Sequence, residues 1–514
     1  MTETVPTVVT LDVKCLYGRK VLYTSLKGEQ VTKESIPDIL IGVSDRHAFN
    51  IEQINRLLEQ YLGKQAILDR TREFAVGDVN NKVVVNRAEE IVRKSVGYFL
   101  GEPISYTSRV AKEGERQSGT IENLNTKMDE EDKAAKDIEL GEWASICGTS
   151  YRLVMTTPDG MDSDIPFKIA TCDPRNTFVI YSSDVLERPV LAGVFSPKVD
   201  NFANIVGYDY LIYTDTVQYK YTTENMSPML GEFSFVEEKA LGVNEVPIVE
   251  YMNNQWRVGD YEKAMSLMDA LNVSLSDRVN AIVQTVGSIL VYVDCVPDAG
   301  GTEALKQKGA VSIKTGGSGS KTDIKFIAPE LQQSDAQILE DTINAYIDAV
   351  TGIPSRSEKS GGGGDTGDAV YLRDGYQDLE LVVRRKERAF KRGERKTIRL
   401  VAQIMKQFGE PFEPSEVQVN FVRNRSTNIV NKATAISTLV ATGVIAPVDA
   451  ITIGGITDQP NELAARGEAH RLKIAAEIQA IADKQNEMNV AAQKAEADKK
   501  EETNKTETVK TSEG

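Results

Sequence analysis

A long helical pattern, a short β-rich module and a second helical pattern follow one another in the middle of the 514-residue chain. Residues 259–287 carry apolar side chains at helical spacing, which predicts a helix of roughly 40 Å at 1.5 Å per residue. A second pattern covers Ser334–Thr351 and ends at Gly352-Ile353-Pro354. Helices this extended cannot bury an apolar stripe by themselves, so we expect them to pack against each other and against neighbouring subunits.

The module between the two helices has strand character. Its alternating or continuous apolar runs predict strands at Ile289–Val293, Ala310–Ile313 and Lys325–Ile327. The stretch GGSGSK, Gly316–Lys321, lacks the GxxxxGK[ST] spacing of a phosphate-binding loop, so we interpret it as a hairpin tip.

The first half of the chain mixes helices and strands, which predicts an α+β region over residues 1–258. Helical spacing marks residues 51–61, 87–100 and 120–148. Strand patterns cover residues 150–156, 177–181, 190–195, 208–213, 216–221 and 244–251.

The segment after the second middle helix contains four successive glycines, Gly361–Gly364, within SRSEKSGGGGDTGD. Such a run predicts a mobile loop. A long helix is predicted behind it, from about Ala369 to Phe408, and residues 384–399 of that helix carry nine Lys or Arg against Glu387 and Glu394. This basic stretch indicates contact with nucleic acid or an acidic partner, or pairing with acidic neighbours in the same chain, and the excess of acidic residues favours the pairing.

The C-terminal part is predicted to be mainly helical. A strand pattern at Glu416–Arg423 precedes helical patterns at Asn428–Gly443 and Glu462–Ala482. From Asp483 onward large apolar residues are almost absent, which predicts a solvated helix that frays into a disordered tail.

Composition excludes several kinds of function. The formal net charge of −16 argues against a protein that binds nucleic acid through bulk charge. Only two histidines occur, so clustered-His metal sites and most catalytic triads are not expected; we place His47 at a helix cap or on the surface, and His470 on the surface. The four scattered cysteines, without CxxC, favour a reducing compartment.

Two further expectations concern targeting and catalysis. The N-terminus has no secretory signal pattern, and no run approaches 18 apolar residues, so we expect no membrane segment. Acidic pairs such as Glu89-Glu90 and Glu130-Glu131 lie in solvated helical patterns, so no catalytic carboxylate pair is predicted.

Four stretches resemble the portal proteins of tailed bacteriophages, in the family typified by siphophages of Gram-positive hosts. The first contains GYFLGEPISY and ends at Tyr106; the second has Gly148, Tyr151 and Asp173-Pro174. The order and spacing of all four, rather than any single motif, make the chain similar to that family over about residues 51–471. The four stretches are residues 80–106, 144–179, 246–278 and 343–395.

The resemblance implies an α+β portal fold with named parts. These are a wing (1–258), stem helix 1 (259–288), a small β-rich clip (289–332), stem helix 2 (333–352), a tunnel loop (353–369), a long spine helix with a wing strand (370–424), a helical crown (425–482) and a disordered tail (483–514).

The resemblance also implies a function without bond chemistry. Family members form a ring, of twelve subunits, at one capsid vertex of the virion, assembled in the host cytoplasm. Double-stranded DNA passes through the ring during packaging and ejection. The implied partners are the terminase large subunit, major capsid and scaffolding proteins, and a head-completion or connector protein, with no membrane. Because the motor is a separate protein, no enzyme activity and no cofactor is expected.

Three sets of site residues follow from the resemblance. The tunnel loop would meet DNA through Arg356, Lys359, Gly361, Gly362, Gly363 and Gly364. The clip would dock partners through Gly316, Gly317, Ser318, Gly319 and Ser320. The stem would pack through Leu339, Ile343, Ile347 and Val350. The alternatives are a cytoplasmic multi-domain scaffold or adaptor without catalysis, and an enzyme with a carboxylate-based site.

Overall fold

The structure is a computed structural model, and it falls into a unit that ends at Asn424 and a C-terminal unit that begins at Arg425. It describes residues 17–71, 79–109, 119–157, 165–286, 289–293, 295–297, 313–315, 323–327, 333–354, 376–423, 436–438, 440–441, 450–451 and 460–510. The clip residues Gly316–Ser320 and all of the tunnel-loop residues named above lie outside these ranges, as does nearly half of the predicted crown.

The chain contains both helices and strands, with eight strands in succession from Thr149 to Met252, and the fold class is α+β, as predicted. The α-helices are α1 (Ile36–Tyr61), α2 (Arg87–Leu100), α3 (Gly119–Glu130), α4 (Lys133–Cys147), α5 (Met265–Val286), α6 (Gln333–Thr351), α7 (Tyr376–Gln407) and α8 (Pro460–Lys510).

The strands lie mainly between α4 and α5. They are β1 (Leu22–Thr24), β2 (Ser105–Ser108), β3 (Thr149–Thr156), β4 (Phe167–Cys172), β5 (Thr177–Ser182), β6 (Pro189–Val199), β7 (Ile205–Tyr213), β8 (Val217–Thr223), β9 (Ser234–Ala240), β10 (Ile248–Met252), β11 (Ile289–Val293), β12 (Cys295–Pro297), β13 (Ile313–Thr315), β14 (Asp323–Ile327) and β15 (Val417–Asn420).

The larger wing sheet has six strands in the order β1-β5-β6-β7-β8-β9. β1 pairs with β5 in parallel, and the other neighbours are antiparallel. Helix α1 covers one face of the sheet, where Ile36 and Leu40 join a core with Phe178 and Ile180. The prediction for His47 is wrong, because this side chain lies in the same layer, 3% exposed and edge-on to Phe178.

A smaller sheet, in the order β10-β3-β4, connects the wing to the rest of the first unit. Helices α4 and α7 both pack against it. The largest apolar core of the molecule forms there and continues to the stem, since it includes Tyr251 of β10, Phe390 of α7 and Ile347 of α6. The fold therefore places α5, α6, α7 and the small sheet around one shared interior.

Several element boundaries differ from the sequence prediction, and the largest difference is in α1, which begins at Ile36 rather than at residue 51. The helical pattern over residues 120–148 is two helices, because Asp132 adopts a left-handed conformation with φ of 54° between α3 and α4. Stem helix 1 begins at Met265 rather than Gly259, since residues 259–261 form a turn held by long-range contacts described below. The long basic helix is described from Tyr376.

The clip strands form two short antiparallel pairs, β11 with β14 and β12 with β13. The predicted strands at Ile289–Val293 and Lys325–Ile327 are confirmed within this pairing, and the middle strand is described at Ile313–Thr315.

In the C-terminal unit, α8 is helical through Lys510, so the solvated helix predicted from Asp483 continues without fraying to that residue. The physical reason is composition: Ala, Glu, Lys and Gln are strong helix formers, so the backbone can be helical without burying side chains. Side chains such as Ile478 and Met488 are 61% and 71% exposed, and His470 is exposed as predicted. Within the described residues no helix is long and apolar enough to cross a membrane.

Candidate functional site: the stem and its joint to the wing

The two stem helices, α5 and α6, pack against each other along one side. On α6, Ile343 is 8% exposed and Ile347 is fully buried, so these two residues pack within the subunit. A polar contact fixes the register, because Arg278 Nη1 lies 2.8 Å from Glu340 Oε2. Apolar burial and one ion pair therefore hold the stem hairpin together.

Beside these buried residues the stem carries exposed apolar side chains, and we call this surface the outer stem face. Leu339 and Val350, which the sequence grouped with the packing residues, are 52% and 50% exposed and are not buried within the subunit. Their exposed apolar neighbours are Ile338 and Tyr346 on α6, and Val279, Ile282 and Val283 on α5. The four predicted packing residues thus divide between buried positions and the outer stem face.

The turn that leads into α5 is built on close backbone approach. Gly18 and Gly148 have φ of 89° and 81°, and a Cβ at either would lie 2.2 Å and 2.1 Å from the carbonyl oxygens of Trp256 and Arg257. No other residue type fits these positions without moving the backbone. The path of the chain from β10 into the stem is therefore sterically fixed.

A buried carboxylate ties this turn to the N-terminal segment. Glu262 Oε1 lies 2.5 Å from Arg19 Nη2 and accepts a hydrogen bond of 3.0 Å from the Gly18 amide. Its Oε2 accepts one of 2.9 Å from the Gly259 amide. Both charged side chains are at most 2% exposed, so the start of stem helix 1 is locked by a paired charge.

The spine helix α7 reaches the same turn through a buried lysine. Lys386 Nζ pairs with Asp260 and donates hydrogen bonds to Ser95 Oγ of α2 at 2.6 Å and Ser145 Oγ of α4 at 3.1 Å. One ammonium group therefore joins α2, α4, α7 and the start of the stem.

A second buried cluster lies on the small sheet. Arg152 of β3 contacts Glu394 of α7 at 2.8 Å and also pairs with Asp137 of α4. Lys133 Nζ lies 2.5 Å from Asp137 and 3.2 Å from Glu394, and all four side chains are at most 4% exposed. Tyr251 donates a further hydrogen bond to Glu394.

Neighbouring cations keep the buried carboxylates of this region ionised. Burial raises the pKa of Glu394, but Lys133 and Arg152 outweigh it and lower the pKa to about 2. Burial likewise raises the pKa of Glu250, but its ion pair with Arg257, 2.6 Å away, and its hydrogen bonds lower it to about 2. At neutral pH both carboxylates are charged partners of cations, which is a structural arrangement.

No metal-binding group of His, Cys, Asp or Glu occurs in the part of the chain that the structure describes. The buried thiol of Cys147 has its pKa raised to about 12 by burial, so it is not a thiolate at neutral pH.

The basic residues of α7 differ in their surroundings. Neither pairing within the chain nor contact with another molecule accounts for all of them. Arg384 pairs with Glu380 and Arg399 with Glu245, both on the surface, and Lys386 is buried against Asp260. Arg423 engages Glu387, one of the two acidic residues inside the stretch. Pairing within the chain thus accounts for part of the stretch and leaves an arginine face on the outside.

Sequence reasoning missed Arg152, Asp137, Lys386 and Asp260, because their partners are far away along the chain. One signal was present: Glu394 lies between Phe390 and Ile398 at helical spacing on the buried side of α7. A carboxylate inside an apolar stripe requires a buried cation, although the spacing does not say which one.

The sequence matches the family described as phage portal protein, SPP1 Gp6-like, over residues 43–490. No curated protein matches the chain. The family match covers most of the chain, from within α1 to residue 490 in α8. The protein therefore belongs to the phage portal protein family.

Proposed function

We propose that this protein forms the portal ring at one capsid vertex of a tailed phage and that double-stranded DNA enters and leaves the head through it. Twelve copies surround the channel, and the protein acts as a conduit without catalysis. The observation that carries the proposal is the outer stem face, on which Ile338, Leu339, Tyr346 and Val350 are at least half exposed in a single subunit.

Neighbouring subunits would cover that face. An exposed apolar patch of this kind on a soluble subunit marks an interaction surface. The inner face of the same helices is already filled by Ile343 and Ile347, so a second copy, rather than a rearranged monomer, is the partner that fits. A ring supplies such a partner to every copy without leaving an open end.

The clip and tunnel loop carry the proposed contacts with other components. The clip, residues 289–332, docks the terminase large subunit during packaging and a head-completion or connector protein afterwards, through Gly316–Ser320. The wing and crown meet major capsid and scaffolding proteins. Arg356, Lys359 and the glycines Gly361–Gly364 line the narrowest part of the channel, where weak phosphate contacts are blind to sequence.

Electron microscopy of the purified full-length protein tests the ring. We expect closed rings with a central hole, with counting of subunits by native mass spectrometry giving twelve. Monomers at all concentrations would contradict the proposal and favour the adaptor alternative.

DNA filling of assembled heads tests the two sites separately. Replacing Gly361–Gly364 with four alanines should leave rings intact and reduce DNA filling or retention, because the loop loses backbone freedom. Deleting Gly316–Ser320 should leave rings intact and weaken terminase or connector docking. Normal filling and docking by these variants would remove the site assignments and leave the ring proposal standing.

A further inference from the structure

Four arginines on the exposed side of the spine helix α7 have no partner among the residues that the structure describes. Arg385, Arg388, Arg392 and Arg395 are exposed, and among the described residues none has an ion pair or a side-chain hydrogen bond. Their spacing of three, four and three residues places them on one side of the helix, in a stripe about 15 Å long. We call this set the arginine stripe.

Acidic residues near the stripe are engaged elsewhere. Glu380 pairs with Arg384 and Arg423, Glu387 pairs with Arg423, and Glu394 is buried beneath α7. Positive charge is therefore concentrated there. Burial lowers the pKa of Lys396, and repulsion from Arg392 and Arg399 lowers it further.

A second helix face has the opposite character. On α4 and its N-cap, Asp132, Glu139 and Glu142 are exposed, with Ala135 between them at the same spacing of three, four and three residues. None of the three carboxylates forms an ion pair within the described part of the chain. Partial burial raises the pKa of Glu142, and the neighbouring charge of Glu139 raises it further. We call Asp132, Glu139 and Glu142 the acidic face.

The two faces cannot neutralise each other within one subunit. The buried sides of α4 and α7 meet in the core, where Lys133 of α4 contacts Glu394 of α7. The arginine stripe and the acidic face lie on the opposite, outer sides of their helices. Two different, complementary surfaces on one chain are what a head-to-tail ring contact requires.

We infer that the arginine stripe of one copy binds the acidic face of the next copy in the ring. This inference rests on the proposed portal function, since it needs a ring of identical copies. Each chain carries a net charge of −16, so neighbouring copies repel one another unless opposite charges are aligned locally. Arginine suits such a contact because its planar group can bind a carboxylate through two hydrogen bonds.

A second copy fits the stripe better than DNA does. A ring would place four such arginines per copy around a duplex, and a dense positive wall would hold the phosphates and oppose sliding. An acidic surface on the next copy would pair with the same arginines and would not oppose the sliding of DNA.

Charge reversal tests the contact and its direction. The stripe variant is Arg388→Glu with Arg392→Glu, and the face variant is Glu139→Lys with Glu142→Lys. Each variant alone should weaken ring formation by about tenfold or more at low salt, as seen by sedimentation. A control, Lys198→Glu with Lys239→Glu, changes the same number of charges on exposed wing strands and should assemble as wild type.

Mixing the two variants gives the decisive result. Alternating stripe-variant and face-variant subunits would have opposite charges at every contact, and such a ring closes with an even number of copies. We therefore expect rings from the equimolar mixture although neither variant forms them alone. A contact within one subunit would not be repaired by mixing.

Other outcomes would overturn the inference. If the stripe variant forms normal rings, or if the mixture assembles no better than its components, the two faces do not meet. Intact rings with reduced DNA filling would assign the stripe to DNA instead. If circular dichroism shows that the stripe variant is unfolded, Arg388→Gln with Arg392→Gln must still weaken rings. Absence of rings from wild type would count against the portal proposal itself.

Discussion

The joint between wing and stem differs from the outer stem face. The charged side chains of the joint have partners within one subunit, whereas the apolar side chains of the outer stem face are exposed. In the joint, Arg152 and Glu394 are completely buried, and each is paired inside the chain. On the stem, Leu339 and Val350 are apolar and about half exposed. The ion pairs of the joint are therefore formed within one subunit, whereas the outer stem face leaves apolar side chains exposed. If the proposed ring forms through the outer stem face, folding of the subunit and assembly of the ring depend on separate residues.

The strongest way to break this comparison is to unpair the joint. Arg152→Met leaves Asp137 and Glu394 short of a buried cation, which should cost about 3–5 kcal/mol of the free energy of unfolding. Thermal unfolding of dilute protein measures the loss. Arg384→Met is the control, because its ion pair with Glu380 involves a side chain that is 63% exposed and should contribute less than about 1 kcal/mol.

A melting temperature equal to that of wild type for Arg152→Met would show that the cluster does not support the fold. The buried ion pairs of the joint would then not stabilise the folded subunit.

Substitutions at a buried and at an exposed position of α6 should have the next largest effects, on stability and on assembly respectively. Ile347→Ala should cost the subunit about 2–5 kcal/mol, since it removes a fully buried side chain. Leu339→Asp should change monomer stability by about 0.5 kcal/mol or less, as expected for an exposed position, yet abolish rings by placing a charge in an apolar contact.

Unfolding curves measure the stability of both variants, and electron microscopy shows whether each variant forms rings. If Leu339→Asp assembles normally, the outer stem face is not a subunit contact, whatever happens to Ile347→Ala.

Local patterns predicted those parts of the fold whose stability is local. Helix α2 was predicted at Arg87–Leu100, as observed, because its apolar period and the stop at Gly101 lie within the helix itself. The same holds for α6, observed at Gln333–Thr351. The edge strand β9 was missed because all of its residues are exposed, so it shows no alternation of buried and exposed side chains.

Long-range pairs could not be predicted in this way. Lys386 belongs to a sequence of nine basic residues, and nothing in the spacing separates it from Arg385 or Arg388. Its burial depends on Asp260, which lies 126 residues earlier in the chain. His47 was misplaced for the same reason, since the aromatic rings that enclose it belong to strands β5 and β6.

Mild acid should weaken the wing before it affects the buried carboxylates of the joint. Burial lowers the pKa of His47 from 6.5 to about 4, so the folded state binds this proton less readily than the unfolded chain. Stability is therefore complete above pH 6.5 and declines as the pH falls to about 4, by roughly 3 kcal/mol for this group. Glu250 loses its contribution only at lower pH, on the way to its pKa of about 2.

The difference between wild type and His47→Met, followed by urea unfolding from pH 7 to pH 4, isolates this effect. The gap should close or reverse as the pH falls, because the variant has no proton to gain. Parallel curves for the two proteins would contradict the assignment of His47 as a buried neutral side chain.

Truncation of the C-terminal helix α8 should have the smallest effect of these changes, on both stability and ring formation. Removing residues 483–514 deletes side chains that, where described, are exposed, such as Met488 and Val490 at 71% and 53%. Little apolar area returns to water, so the melting temperature and ring formation should match those of wild type, within about 0.5 kcal/mol for stability. Sedimentation and thermal unfolding of the truncated protein check both quantities. Because helix-forming residues keep α8 helical without buried contacts, its helicity alone gives no reason to expect a role in assembly. A truncated protein that fails to form rings would show that this helix, like the outer stem face, is completed by another copy.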